Sequence, residues 1–141
     1  MKQGVQMPGI LLIGHRNLPE TLYNILKDMT HSSVNDIDYV NVFPEDNIEK
    51  VKNVIAKKIK KLNTGNGVLI LTDMFGGTPS NLALTFLQEK KIEVITGINL
   101  PMLLKLQFIK DDKSLEELLE FISDYGKRNI CIASNLLRGD L

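Results

Sequence analysis

The stretch VLILTDMFGGTPSNLA, residues 68–83, predicts a strand, a tight turn and the start of a helix. The run at 68–72 is the most strand-like in the chain, and the nearly continuous aliphatic run at 9–14 is typical of a strand covered on both faces. Gly76 and Gly77 permit a tight turn that leaves backbone amides exposed. This stretch therefore predicts one strand–turn–helix unit of an α/β fold.

The residues after the turn carry helix-start signals. We predict Thr78 as the N-cap and Pro79 as the first helical residue of a helix near 79–90. A helix that begins at a glycine turn presents unpaired N–H groups and the positive end of its dipole, which suit an anion. Two interpretations stand: Gly76, Gly77 and Thr78 cradle a phosphoryl group, or the stretch is a turn and a cap without a ligand.

Short aliphatic runs and amphipathic stretches alternate along the rest of the chain. Asn47 is the predicted N-cap of the second helix, and Ser114 with Glu117 forms the pattern of a capping box. The predicted strands are 9–14, 39–43, 68–72, 92–96 and 129–134, and the predicted helices are 18–30, 47–62, 79–90, 100–110 and 114–126.

This alternation predicts an α/β fold with an open, mostly parallel, doubly wound sheet and helices on both faces. Ligands of such sheets bind beyond the carboxyl ends of the strands, where the strand order reverses. If the second strand lies outside the first, the order is 2-1-3-4 and strands one and three are neighbours. His15, at the end of the first strand, then meets Asp73, at the end of the third.

A histidine beside a carboxylate at this position predicts nucleophilic chemistry. Asp73 would accept a hydrogen bond from one ring nitrogen of His15, which fixes the tautomer and stabilises a positively charged ring. The other nitrogen is left as a nucleophile, and it needs no metal ion. Alone, Asp73 would be interpreted as a solvated carboxylate at a strand end.

Other residue types with chemical potential have simpler interpretations. His31 is expected near the end of the first helix, facing water, and Cys131 is expected as a small core residue of a buried strand. The lysines of 57–61 form a solvated helix face, and Met102 is expected to be packing. Asn99 either caps the next helix or lines the cleft.

Composition places the chain among soluble globular proteins, with 43% apolar and 24% charged residues. Lys plus Arg and Asp plus Glu number 17 each, so the net charge is zero, which argues against a broad electrostatic grip on nucleic acid or on an anionic membrane. The single cysteine excludes an intrachain disulfide and suits a reducing cytoplasm.

The chain predicts a single domain over residues 1–141, with 1–7 as a flexible N-terminal extension and Met7 as a second candidate start. No apolar run approaches the roughly 18 residues needed to span a bilayer, and no signal peptide precedes the first strand.

Three signatures between about Pro8 and Leu137 resemble the mannose-type IIA component of the bacterial phosphoenolpyruvate:sugar phosphotransferase system. They are the strand that ends in GH at 14–15, VLILTDMFGGTPSNLA at 68–83 and VITGINLPMLLKL at 94–106. The second and third together are far more specific than an isolated glycine turn.

The resemblance implies a phosphoryl carrier of the cytoplasm. His15 would receive a phosphoryl group from the phosphocarrier protein HPr and pass it to a separate IIB protein, while Asp73 orients the ring. It also implies a homodimer in which the last strand, about 129–133, crosses to the partner's sheet as an antiparallel edge. A membrane is involved only indirectly, through the permease complex, and no cofactor is required.

The chain departs from the family pattern at two positions. Many relatives have glycine directly after the active histidine, whereas this chain has Arg16, whose guanidinium would either hold phosphate or face a partner. If the backbone there requires a positive φ, Arg16 is strained. The usual GGSP is GGTP here, which keeps a hydroxyl at Thr78.

Other functions remain in view. The phosphoryl-transfer subunit of dihydroxyacetone kinase uses a similar histidine domain, although GINLPML at 97–103 favours the sugar-system branch. A regulatory IIA-like phosphoprotein without sugar transport is a second alternative. A response-regulator receiver would need acidic residues after the first strand to hold Mg²⁺, where this chain has Gly14, His15 and Arg16. The motifs of serine hydrolases and of nucleotide-binding loops are missing from the sequence.

Overall fold

The computed structural model describes residues 7–30 and 36–139. Strands and helices alternate along the described chain until three helices follow the last strand. In chain order the elements are β1 (Gly9–His15), α1 (Leu18–Thr30), β2 (Ile37–Val42), α2 (Ile48–Leu62), β3 (Val68–Thr72), α3 (Thr78–Leu84), β4 (Ile92–Thr96), α4 (Leu100–Phe108), α5 (Leu115–Arg128) and α6 (Ala133–Leu137).

The four strands form one parallel sheet in the order β2-β1-β3-β4, which confirms the predicted order. Ile13 of β1 is in register with Val40 of β2 and with Thr72 of β3. The carboxyl ends of β1 and β3 are therefore adjacent, at the point where the strand order reverses.

Side chains alternate between the two faces of the sheet and build a core on each. Ile10 and Leu12 of β1 join the cluster that packs under α1, α4 and α5. Leu11 and Ile13 join the cluster under α2 and α3. All four are at most 5% exposed, as expected of a strand covered on both faces.

Side-chain caps begin three of the helices. The Asn47 side chain accepts a hydrogen bond from the backbone of Lys50 at the start of α2. Ser114 and Glu117 form a complete capping box at α5. Asn99 caps α4 by accepting from the backbone N–H of Met102 at 3.2 Å. The first two caps were predicted from residue type and spacing, and the third was one of the two alternatives for Asn99.

Helix α3 corrects two predictions. Its N-cap is Gly77, without a side-chain cap, so Thr78 is the first helical residue and not the cap. The helix ends at Leu84 and not near residue 90. After Leu84 the backbone N–H groups bond to carbonyls three residues back, and such tight turns end an α-helix.

The predicted strand 129–134 is also corrected. Residues 133–137 form the short helix α6, and no described strand of this chain pairs with residues 129–132. Cys131 is exposed in a single copy and not buried as predicted.

The structure does not test the prediction for His31 or most of the predicted N-terminal extension. His31 and residues 1–6 lie outside the described residues. Met7, the last residue of that extension, is half-buried and packs against the core cluster under α1, α4 and α5.

Candidate functional site

Two neighbouring strands deliver the candidate histidine and carboxylate to one place. His15 is the last residue of β1, and Asp73 directly follows β3. Their side chains meet at 2.9 Å, between Nδ1 of His15 and Oδ2 of Asp73. The predicted adjacency of β1 and β3 indicated this pair, although the two residues are 58 positions apart in sequence.

Asp73 is held by three N–H donors. Its Oδ2 accepts from the His15 backbone at 2.8 Å as well as from the ring, and its Oδ1 accepts from the Met74 backbone at 2.9 Å. Partial burial favours the protonated form of Asp73, but these donors and the imidazole charge outweigh it. The pKa of Asp73 therefore lies below its ordinary value of 3.8.

The ionised carboxylate decides the tautomer of the imidazole. An ionised carboxylate can only accept hydrogen bonds, so Nδ1 of His15 carries the proton in their contact. In the neutral ring Nε2 then holds the lone pair. The His15 side chain is 46% exposed against 12% for Asp73, so the ring is open to solvent while its partner is mostly covered. This is the arrangement of an oriented nucleophile.

The glycine turn closes against the same imidazole. A Cβ at Gly77 would lie 2.7 Å from Cε1 and 2.9 Å from Nε2 of His15, closer than real Cβ contacts, so only glycine fits beside the ring. Gly76 has a φ of 91°, which glycine adopts readily. Its backbone N–H donates to Oγ of Ser80 at 3.0 Å, so this N–H is engaged within the turn.

Two backbone N–H groups of the turn are available for an anion. Those of Gly77 and Thr78 have no acceptor within the described part of the chain. They lie at the start of a helix, where unpaired N–H groups and the dipole favour negative charge. Both residues lie next to His15, since Gly77 packs against the imidazole ring and Thr78 lines a cleft with His15.

Arg16 has a positive φ, which is the condition under which strain was expected at this position. Its φ is 52°, in the left-handed region, which is disfavoured by about 1–2 kcal/mol for a residue with a Cβ. Its backbone N–H donates to the Val42 carbonyl at 2.8 Å. Its guanidinium has no hydrogen-bond or ion-pair partner among residues 7–30 and 36–139.

A cleft of about 260 Å³ opens beside His15. Its polar wall is formed by His15, Arg16 and Thr78, with Asp46 on the opposite loop, and the rest of its lining is apolar: Val42, Phe43, Pro44, Ile48 and Pro79. The cleft therefore combines a nucleophilic nitrogen and a free cation with a surface suited to apolar contact.

Asn99 lies elsewhere. Its Oδ1 caps α4, and its Nδ2 donates to the Gly126 carbonyl at 2.9 Å, so both ends of the side chain are engaged. It lines a separate cavity of about 120 Å³ with Met102, which is buried as predicted. Of the two alternatives for Asn99, the helix cap is confirmed.

Three features of the site were not found from the sequence. Phe75 and Met74 in the turn are 70% and 54% exposed. Their position directly after Asp73 was the sequence signal that could have indicated a contact surface there. Asp46 reaches the cleft from the loop after β2. Asn41 pairs with Glu20 beside the histidine loop, and an asparagine within an alternating strand was the only hint.

No group of three or more His, Cys, Asp or Glu side chains in the described ranges is arranged to hold a metal ion. None of the helices in those ranges has the length and apolar character needed to cross a membrane.

Known proteins resemble the chain along most of its length. A family model described as the fructose IIA component of the phosphotransferase system (EIIA-man) matches residues 9–123. The chain is 26% identical over 132 residues to the fructose-specific EIIA component of Bacillus subtilis, covering 93% of this chain and 90% of that protein. It is 32% identical over 97 residues to the mannose-specific EIIAB component of Escherichia coli, covering 67% of this chain but only 30% of that protein.

A solved structure extends the likeness to the fold. The IIA protein associated with the fucose utilization operon of Streptococcus pneumoniae matches with a TM-score of 0.81 and 25% identity. The match covers 96% of this chain and 99% of that one.

Proposed function

The chain belongs to the EIIA-man family of phosphotransferase-system IIA components, and from this premise we propose that His15 carries a phosphoryl group between two proteins. The family supports a phosphoryl-carrier role in the sugar phosphotransferase system. We further propose phospho-HPr as the donor and a separate IIB protein as the acceptor, in the cytoplasm. The observation that carries this proposal is the contact of the His15 ring with Asp73, which leaves Nε2 as the free nitrogen.

The transfer is a displacement at phosphorus. The Nε2 lone pair of His15 attacks the phosphoryl group of the donor, and the bond between phosphorus and the donor's nitrogen breaks with its electron pair returning to that nitrogen. The His15 ring becomes positively charged as the new bond forms. Asp73, ionised because its pKa is low, stabilises that charge through the Nδ1 proton. The second transfer repeats the step with His15 as the leaving group.

The phosphoryl oxygens need donors beside Nε2. Gly77, Thr78 and Arg16 lie next to His15, and the described chain gives no partner to the N–H groups of Gly77 and Thr78 or to the guanidinium of Arg16. Backbone amides at a helix start and an arginine are both good ligands of phosphate oxygens. These donors would neutralise the negative charge on the phosphoryl oxygens. Doing so in the transition state accelerates transfer more than binding the phosphorylated product does.

The surface around His15 suits a protein partner. Four apolar side chains from the segments that follow β1, β2 and β3 are at least 43% exposed: Leu18, Ile48, Met74 and Phe75. Exposed apolar side chains grouped around one reactive atom are typical of a protein-binding surface. Donor and acceptor would bind this surface in turn, because each must reach the same nitrogen.

Incubation with enzyme I, HPr and labelled phosphoenolpyruvate tests the proposal. We expect one labelled residue, His15, with a bond that is stable in alkali and labile in acid, as a phosphoramidate is. Transfer of the label to a IIB protein would support the carrier role. Label on Asp73 as an Mg²⁺-dependent, alkali-labile acyl phosphate would contradict the proposal and favour a receiver.

We also propose that the protein is a homodimer in which residues 129–132, the part of the predicted strand that precedes α6, add an antiparallel strand to the partner's β4. Ile130 and Ile132 are 78% and 66% exposed in a single copy. No described strand of the chain pairs with the outer edge of β4. An apolar extended segment and an open edge of this kind satisfy each other when they pair.

Ile132→Asp is expected to shift the dimer toward monomer, because the substitution places a charge in the middle of that added strand. The measurement is molar mass by light scattering or sedimentation across a concentration series. Met29→Asp is the matched control, since Met29 is also an exposed apolar residue, at 50%, but lies on α1, which packs mainly on β1 and β2 and away from β4. Equal dissociation in both variants, or a monomeric wild-type protein, would contradict the proposed interface.

A further inference from the structure

The segment between β1 and α1 is fixed at both ends although it contains a disfavoured conformation. Arg16, at φ 52°, lies in this segment, directly after His15. A left-handed arginine persists only where its surroundings impose it, and such residues concentrate at functional sites. The question is which contacts impose this conformation.

Strand pairing fixes the segment on its N-terminal side. His15 is in register with Val42 of β2, and the N–H of Arg16 donates to the Val42 carbonyl at 2.8 Å. The His15 N–H donates to Asp73 at 2.8 Å. The chain therefore enters Arg16 along a fixed direction.

A pair of hydrogen bonds from β2 fixes the other side. Oδ1 of Asn41 accepts from the backbone N–H of Glu20 at 3.2 Å, and Nδ2 of Asn41 donates to Oε1 of Glu20 at 3.0 Å. Glu20 is the third residue of α1, so this pair reproduces the reciprocal bonds of a capping box with an asparagine of the neighbouring strand in place of the N-cap residue. We call it the Asn41–Glu20 clamp.

We propose that Asn41 and Glu20 are positioning residues that act through Arg16. The clamp fixes the start of α1, the β1–β2 pairing fixes the end of β1, and the short connection between them closes only with Arg16 in the left-handed region. That conformation places Arg16 on the cleft that it shares with His15. No described residue pairs with the guanidinium, so it is available in this position for the phosphoryl oxygens. This inference rests on the proposed function of His15.

A double-mutant cycle tests the clamp. Asn41→Ala and Arg16→Ala are each expected to lower the rate of His15 phosphorylation by phospho-HPr about five- to tenfold, as the loss of one charge-assisted contact to phosphate would. The loss should fall on kcat and leave KM near the wild-type value. In Arg16→Ala the further change Asn41→Ala should have no effect, because the residue through which it acts is gone. Glu20→Gln keeps the acceptor for Asn41 and should restore near-normal rates, unlike Glu20→Ala.

A measurement on the unphosphorylated protein separates the clamp from the proposed function. The backbone amide and Cα chemical shifts of Arg16 report its conformation, and we expect Asn41→Ala and Glu20→Ala to move them while Glu20→Gln does not. Unchanged shifts in Asn41→Ala, or an equal loss of rate with and without Arg16, would overturn the inference. A wild-type protein that accepts no phosphoryl group would contradict the proposed function instead, and the Arg16 shifts would still decide the clamp.

Discussion

His15→Ala is expected to reduce phosphorylation by phospho-HPr by at least about 1,000-fold, to background, because it removes the nitrogen that is proposed to accept the phosphoryl group. The proposal gives the second histidine, His31, no role in phosphoryl transfer, so His31→Ala should leave the transfer rate unchanged. The measurement is the initial rate of label incorporation at limiting phospho-HPr. Residual labelling of His15→Ala at a tenth of the wild-type rate would contradict the assignment.

The variant should remain folded, which makes the loss interpretable. The His15 side chain is 46% exposed, and its backbone N–H still reaches Asp73 after truncation. We therefore expect the unfolding free energy to change by no more than about 1 kcal/mol. Circular dichroism and the molar mass of the variant should match the wild-type protein. A variant that has lost its melting transition would give no information on chemistry, and in that case His15→Gln, which keeps more of the side-chain volume, replaces it.

The fold was predictable where periodicity and burial act together. The aliphatic runs at β1 and β3 are covered on both faces, so their sequences carry no alternation and predict a parallel sheet directly. The strand order followed from placing β2 outside β1, and the structure confirms it. The resemblance to the mannose-type IIA component, which came from three short motifs, is confirmed by the family match over residues 9–123.

The elements that escaped prediction depend on contacts that local sequence does not encode. The end of α3 at Leu84 reflects a tightening of the last turn, whereas the apolar pattern continues past it. The segment after α5 has the composition of a strand, but it pairs with no described strand of its own chain, although the outer edge of β4 is open. Ile130 and Ile132 of this segment are exposed in a single copy, and the proposed pairing with a second chain would cover them.

The candidate site was predicted at the level of its reactive pair and missed at the level of its supports. His15 and Asp73 are strand ends, which topology brings together. The strain at Arg16 could be stated only as a condition, since a sequence does not show φ. The bond between Asn41 and Glu20 depends on the side-chain geometry of two elements, and no spacing rule connects them.

Asp73→Asn is expected to slow transfer to and from His15 by about 10- to 100-fold without displacing the ring. A hydrogen bond to a charged group contributes about 1.5–3 kcal/mol, and each 1.36 kcal/mol is a factor of ten in rate. The amide oxygen can take the place of Oδ2 toward His15, but the amide NH₂ then faces the N–H of Met74 where Oδ1 accepted it. The variant therefore loses the negative charge that stabilises the phosphorylated ring and gains a donor–donor contact.

Asp46→Asn is the matched control, because Asp46 lines the same cleft without a contact to His15 and loses the same charge. A change of less than about threefold in that variant would assign the effect of Asp73 to its contact with the ring and not to the overall field. Equal rates in Asp73→Asn and the wild-type protein would refute the orienting role.

The pH dependence of the unfolding free energy tests the charge of Asp73 independently of the transfer rate. Since the folded pKa of Asp73 lies below its ordinary value of 3.8, its carboxylate stabilises the fold at neutral pH, and this contribution is lost as the pH falls through the folded pKa. The gap in unfolding free energy between the wild-type protein and Asp73→Asn should accordingly be largest near neutrality and shrink below about pH 4.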